Sequence, residues 1–559
     1  MKTFRSAGWR RAITASARDA DGPGERRLPA DYTQDVRKSE GSGTTGRVCR
    51  RLRQTAGWQP ALPRCEARAR TNLAPHGFLA TLQAHFMAPS SSNPLTNSLA
   101  HQLAQFACTL EYEHLGKNTV HEVKRRLIDS LGCALGAWNE EPCTIARGLA
   151  TDFSAKLGAT VIGTSYKAPP DWAAFANGCC IRYFDYNDTY LSKEPAHPSD
   201  NFSAVLAIGE AVGATGKEII TAAAIAYEVQ CRFCDQASIR ARGWDHPTYG
   251  AFSTALACAK LMKLDPERTR HAINIAGVAG MGMRQARVGE LSHWKGVAFA
   301  HAARHGVYAS LLASRGMTGP APIFEGQMGF EKELGVSMGD VGRLFETKAE
   351  AMPGEGPASM ILKTSIKYWP AEYHSQSAIE AALHIRNQIE DLSQVKSMVI
   401  ESHDASVDII GSEPEKWHPQ QRETADHSLP YITAVALIDG EVTDKQFAPE
   451  RFTETAIISF LQNVKVERND ELTALYANAV ANIVHVTLAD GRTLTKRVDF
   501  PLGNANNRLK DSEVEGKFFQ LAAPKITKEG ADRVVEQCWQ LDQASDVSKL
   551  MKLCEVPQK

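Results

Sequence analysis

The chain has 559 residues, 43% of them apolar and 23% charged, enough to bury a sizeable core in two to four domain-sized units. Its 63 basic and 64 acidic residues leave a net charge of −1, which excludes a globally basic nucleic-acid binder and an acidic solvating chain. No apolar run approaches the 18 residues of a membrane-spanning helix, and twelve cysteines are too sparse for a disulfide scaffold.

Residues 1–91 stand apart. The first 70 hold 14 arginines and 7 acidic residues among many Gly, Pro, Ser and Thr, a composition that cannot bury enough apolar surface to order itself. Residues 1–18 carry four arginines and no acid, as a mitochondrial transit peptide does, whereas Met87 would be a natural alternative start. The expected compartment is the cytoplasm, or the mitochondrial matrix if that segment is a transit peptide.

From 92 to 362 the pattern is helical. In 119–135 apolar residues fall at Val120, Val123, Leu127, Ile128, Leu131 and Leu135, one face of a helix, with Thr119 and Glu122 spaced as a capping box. Thr215 and Glu218 repeat that spacing, and Asp265-Pro266 supplies an N-cap and a first-turn proline. The runs 201–213, 216–232, 250–263, 266–282 and 297–314 are rich in Ala and other small residues and read as helices buried on most sides. One short strand fits near 160–163. The glycines of GVAGMG (277–282) lack dinucleotide-binding spacing and let helices approach closely. From 363 the texture changes. Strands are expected at 395–402 and 463–467, and at 483–488 and 493–500 around the hairpin turn Asp490-Gly491, with helices at 375–389 and 428–438. Residues 511–549 are helical again. The fold class is therefore mainly α: a large all-helical domain (92–362 and 504–559) with an inserted smaller α+β lid domain (363–503).

The motifs for phosphate cradling and zinc hydrolysis are missing, and the one CxxC, Cys231–Cys234, has no second pair. What recurs is a placement. His197, His246, Lys295 and His374 each stand at the start of a predicted helix. Such an end carries partial positive charge and free N–H groups; it favours bound anions and keeps an imidazole neutral. Each residue alone reads as readily as a cap or a solvated side chain. Arg284 and Arg287 could be ion-pair partners, Asp185 a turn former, and Tyr431 a core tyrosine.

At these residues the sequence resembles the MmgE/PrpD family. The segments that carry the resemblance are RRLIDSLGCALGA (125–137), FDYNDTYLSKEPAHPSDN (184–201), ATGKEI (214–219), WDHPTYGAFSTALA (244–257), the stretch 287–320 around SHWKG, SIKYWPAEYHSQSAIEA (365–381) and ETADHSLPYITAVAL (423–437). They span about 95–553 in order. The resemblance implies a helical domain with an α+β lid, a homodimer, and no metal or other cofactor. It implies a site made of Asp185, Thr189, His197, His246, Lys295 and Tyr431, with Lys367 and His374 from the lid segment. The spacing from Thr189 to His197 is the longer one of the family's dehydratases, while Pro195-Ala196 replaces their usual Trp-Gly.

The reaction implied is metal-independent loss of water from 2-methylcitrate to give 2-methylaconitate, a step of propanoate catabolism, with citrate a poorer substrate. The expected catalytic residues are His197, His246, Asp185, Lys295 and Tyr431. Thr189, Arg284, Arg287, Lys367 and His374 are expected to bind substrate. The alternatives are cis-aconitate decarboxylation to itaconate, or epimerisation of a small dicarboxylate. The partners expected are a small tricarboxylate and a second copy of the chain, with no nucleic acid and no membrane.

Overall fold

The computed structural model describes residues 98–339, 341–345 and 352–557, so the expectations for 1–91 lie outside the described residues. Helices dominate. Those of eleven residues or more are α1 (Leu99–Thr109), α2 (Lys117–Gly136), α3 (Glu141–Thr151), α4 (Pro170–Arg182), α5 (Phe202–Val212), α6 (Gly216–Gln236), α7 (Pro247–Leu261), α8 (Pro266–Ala279), α9 (Trp294–Ser314), α10 (Gln376–Arg386), α11 (Leu429–Asp439), α12 (Asp511–Ile526) and α13 (Lys528–Trp539). Short strands β1 (Ala159–Thr160) and β2 (Lys167–Ala168) pair with each other, as do β3 (Asp188–Thr189) and β4 (Ser365–Ile366). No described helix is long and apolar enough to cross a membrane.

Local chemistry accounts for most helix starts. Thr215 and Glu218 close the expected capping box on α6, and the Asp265 side chain accepts from Arg268 N–H ahead of Pro266. The box expected from Thr119 and Glu122 does not form. Helix α2 begins two residues earlier, behind Gly116; Thr119 N–H donates to Glu355, and Glu122 turns to Arg126 at 2.7 Å. A buried ion pair outcompetes the local cap.

The centre of the helical part is α9, which packs on α4, α7 and α8. Small residues let it approach. A Cβ on Gly178 of α4 would lie 2.8 Å from Ala300 Cβ, and one on Gly306 of α9 would lie 2.8 Å from the Thr254 side chain of α7. Gly277 of α8 sits as tightly against Phe252 and Ile323, the role expected for that glycine run. Close helix axes need small contact residues. Helices α12 and α13 return to this same core, where Phe518 lies against Gly132 of α2.

Between these parts, residues from Trp369 to Val498 build a separate hydrophobic core. Its sheet has the order β6-β5-β7-β8, with β5 (Val395–Ser402) and β6 (Val464–Arg468) parallel, and β7 (Asn482–Leu488) and β8 (Thr493–Val498) joined by the Asp490-Gly491 hairpin. Met398 and Ile400 of β5 and Val484, Val486 and Leu488 of β7 are buried while their neighbours are not, the two-residue period of a sheet covered on one face. Helix α10 lies against β7, β8 and α11.

Gly178→Val should force α4 away from α9. The expected loss is about 1–3 kcal/mol in urea unfolding, the usual range for overpacking; an unchanged midpoint would contradict the packing described.

Candidate active site

A cavity opens where the end of α4, the 185–197 loop, the start of α7 and the start of α9 face residues from the second core. Its walls include Asp185, Thr189, His197, His246, Arg284, Arg287, Lys295 and His374, so eight residues expected from sequence converge. Lys367 stands directly behind Asp185. Tyr431 does not reach the cavity. It is fully buried in α11, its hydroxyl donates to the Gln446 carbonyl, and its ring faces Phe447. The HSLPY segment instead contributes His427, which precedes the α11 N-cap Ser428.

Asp185 is the hub. It follows the last turn of α4 with φ +50°, a left-handed conformation that a non-glycine residue adopts at a cost of about 1 kcal/mol or more. That turn aims the carboxylate at three buried cations. Arg182 Nη1 donates to Oδ1, and Lys367 Nζ lies 2.9 Å from both Oδ1 and the Asp185 carbonyl oxygen. Lys295 Nζ stands 3.9 Å from Oδ2 and 3.5 Å from Asp426 Oδ1. All these side chains are at most 2% exposed. Burial alone would raise the Asp185 pKa, but Arg182, Lys295 and Lys367 together hold it well below the usual carboxylate range. Burial lowers both lysines against the pull of Asp185, Lys367 to about 8. Lys295 Nζ and Asp185 Oδ2 make no hydrogen bond among the described residues, an uncommon state for buried polar atoms and one that suits a guest.

The histidines differ in what holds them. His197 precedes a 3₁₀ turn (Pro198–Asn201); its Nδ1 bonds the Asp188 carbonyl at 2.7 Å, and its Nε2 meets Arg182 Nη2 at 2.9 Å. A guanidinium only donates and a carbonyl only accepts, so this imidazole carries its proton on Nδ1 and is neutral. Burial, then Arg182 and Lys367, push its pKa well down. His246 is the N-cap residue of α7, edge-on to His197 with ring centroids 5.5 Å apart. Burial and Arg287 lower it too, and its Nδ1 has no partner. Arg287 is an ion-pair partner as well as a wall, bound to Asp245 at 2.8 and 2.9 Å, with Arg284 at 3.7 Å. His374 is tied at Nδ1 to Glu372 (2.7 Å) and at Nε2 to the Tyr476 hydroxyl (3.2 Å). Burial would raise Glu372, but His374, then His427 and Lys367, hold it down to about 2.

Sequence reasoning missed Arg182, Glu372, Lys416, Asp426 and His427. Four of them sat within three residues of a named site residue or in a quoted motif: Arg182 before Asp185, Glu372 before His374, and Asp426 and His427 ahead of Tyr431. Five cationic side chains in the cavity walls (Arg182, Arg284, Arg287, Lys295, Lys416) face two carboxylates (Asp185, Glu372). Such walls favour an anion. Among the described residues, no group of three or more His, Cys, Asp or Glu is placed to hold a metal ion.

The MmgE/PrpD N-terminal domain model matches residues 101–337, and the MmgE/PrpD C-terminal domain model matches 369–541. The chain belongs to the MmgE/PrpD family. It is 28% identical over 415 residues to a 2-methylcitrate dehydratase of Cupriavidus necator, covering 69% of this chain and 81% of that one. It is 27% identical over 427 residues to the 2-methylcitrate dehydratase of Escherichia coli K12, covering 71% and 85%. It is 25% identical over 484 residues to the human cis-aconitate decarboxylase, covering 83% and 96%.

Asp185→Asn should leave Lys367 uncompensated and take from Arg182 and Lys295 one of the two carboxylates each faces. Breaking a buried ion pair from one side typically costs about 3–5 kcal/mol. Urea unfolding should show a loss of that size, partly recovered by adding Lys367→Met; full stability of the single variant would contradict the central role of this carboxylate.

Proposed function

We propose that the chain is a hydro-lyase that removes water from 2-methylcitrate to give 2-methylaconitate, with citrate a poorer substrate. The observation that carries this reading is the excess of fixed cations around a cavity that also holds neutral imidazoles. A tricarboxylate brings three negative charges to walls that carry five cationic side chains and two carboxylates. The relatives named dehydratases support the reaction class. In this reading the α+β part, residues 363–503, is a lid that brings Glu372, His374, Lys416 and His427 over the helical floor.

The chemical difficulty is a proton α to a carboxylate, which is very weakly acidic. Removing it needs a positioned base and a fixed positive field for the charge that develops on that carboxylate. Lys295 and Arg287 supply the field, with Arg284 beside them. Both are held in place by carboxylates before substrate arrives, so little reorganisation is needed at the moment of reaction. The imidazoles handle protons: burial keeps His246 uncharged, and its free Nδ1 can bond the substrate hydroxyl. His197, with both nitrogens engaged, positions Arg182 rather than moving a proton. Thr189 forms the wall beside it, its hydroxyl donating to the Ala196 carbonyl at 3.2 Å.

A second reading, decarboxylation of cis-aconitate, uses the same anion pocket. The reach of the human decarboxylase match over 83% of this chain favours it. One assay separates the two. Purified chain is given 2-methylcitrate, citrate and cis-aconitate, with and without EDTA, while ultraviolet absorbance and CO₂ are followed. Absorbance should rise with 2-methylcitrate, unaffected by EDTA, and Lys295→Met should lower kcat/KM by about 10²–10³, the size of losing one fixed charge-stabilising donor. CO₂ release from cis-aconitate without dehydration of 2-methylcitrate would install the second reading.

A further inference from the structure

We propose that His427, Asp426 and Lys295 form the acid–base unit of the reaction: His427 takes the α-proton and Lys295 protonates the departing hydroxyl. This inference rests on the dehydratase reading and names the groups that carry out its central step.

The assignment follows from comparing the four imidazoles in the cavity wall. A base must have one nitrogen fixed as a donor and the other free, with its lone pair open to the substrate. In His197 both nitrogens are engaged, and in His374 the second is taken by Tyr476. His246 has no carboxylate on its ring; Asp245 bonds its backbone N–H instead. Only His427 combines the two conditions. Its Nδ1 lies 2.6 Å from Asp426 Oδ1, which fixes the Nδ1–H tautomer, and its Nε2 has no hydrogen-bond partner among the described residues. That Nε2 stands 3.7 Å from Asp185 Oδ2, at the heart of the cavity. The arrangement is the carboxylate–imidazole half of a catalytic triad, in which the carboxylate orients the base and stabilises the imidazolium that forms.

The acid is adjacent. Asp426 Oδ1 is shared: Lys295 Nζ approaches it at 3.5 Å from the other side. Lys295 is 1% exposed and makes no hydrogen bond among the described residues, so its N–H groups are available to the substrate. In the step, the Cα–H pair becomes the new C=C bond as the proton passes to His427 Nε2. The C–O bond breaks, and its pair leaves on oxygen, which takes a proton from the Lys295 ammonium and departs as water. The site is then an imidazolium and a neutral amine in contact with one carboxylate oxygen. Transfer of the extra proton from imidazolium to amine through water restores both. Atoms and charge balance with no co-reactant. Asp426 touches no reacting atom; it is a positioning residue for both partners.

The test uses the full chain and 2-methylcitrate. His427→Gln should keep the wild-type melting temperature and lower kcat at least about 100-fold, with KM within about threefold, because the base acts in the transition state and not in binding. His427→Ala should regain at least tenfold in kcat with added imidazole, and Lys295→Met should not. Asp426→Asn should also lower kcat, since an amide cannot hold the Nδ1–H tautomer. A His427→Gln enzyme within about fivefold of wild type, or a His427→Ala enzyme that imidazole fails to rescue, would overturn the assignment. A wild-type chain inert toward all three tricarboxylates would instead overturn the dehydratase reading on which it rests.

Discussion

A carboxylate buried among three cations, two of which also face other buried carboxylates, is the constraint on which the site depends. Asp185 accepts from Arg182 and Lys367 and faces Lys295, all of them out of water. Taking so many charges from solvent costs several kcal/mol per ion before pairing offsets it, so this arrangement is a poor way to gain stability. What it provides is a set of charges held in place before any substrate arrives. The strained φ of Asp185 belongs to the same design: an unfavourable backbone conformation holds the carboxylate where three distant segments meet.

The fold exists to make that meeting possible. Arg182 ends α4, Lys295 sits in the first turn of α9, and these two helices pack through Gly178 and Ala300. The floor of the cavity is therefore as rigid as the helical core. Lys367 and Glu372 come from the start of the second core and Asp426 and His427 from its middle, and Asp426 also accepts Glu372 N–H through its carbonyl at 2.9 Å, tying these two segments together. His197 and His246 stand at helix N-termini, where the local dipole adds to burial in keeping their rings uncharged.

Much of the fold was legible in the sequence because it rests on local rules. The apolar stripe of α2, the Thr215–Glu218 box and the Asp490-Gly491 hairpin each depend on neighbours within about four residues. The site was half legible. His197, His246 and Lys295 announce themselves as polar residues at the mouths of apolar helices. Their partners do not. The Lys367–Asp185 contact spans 182 residues, and nothing local in Asp426-His427 shows that it will meet Lys295. Tyr431 was misplaced for a related reason. Helix α11 is apolar nearly all round, so no period distinguishes its core face from a cavity face, and the residue that reaches the cavity lies just before the helix begins. Thr119 and Glu122 failed as a cap because the buried Arg126 guanidinium, invisible as a competitor in sequence, claims the glutamate.

If the cationic wall of the cavity is the purpose of the site, affinity must follow the charge of the ligand more than its shape. Calorimetric titration of the wild-type chain with propane-1,2,3-tricarboxylate, glutarate and butyrate at fixed ionic strength measures this without any turnover. The account predicts that each carboxylate removed weakens binding at least about tenfold, about 1.4 kcal/mol per step. Equal affinities across the three, or no binding of the trianion, would contradict it.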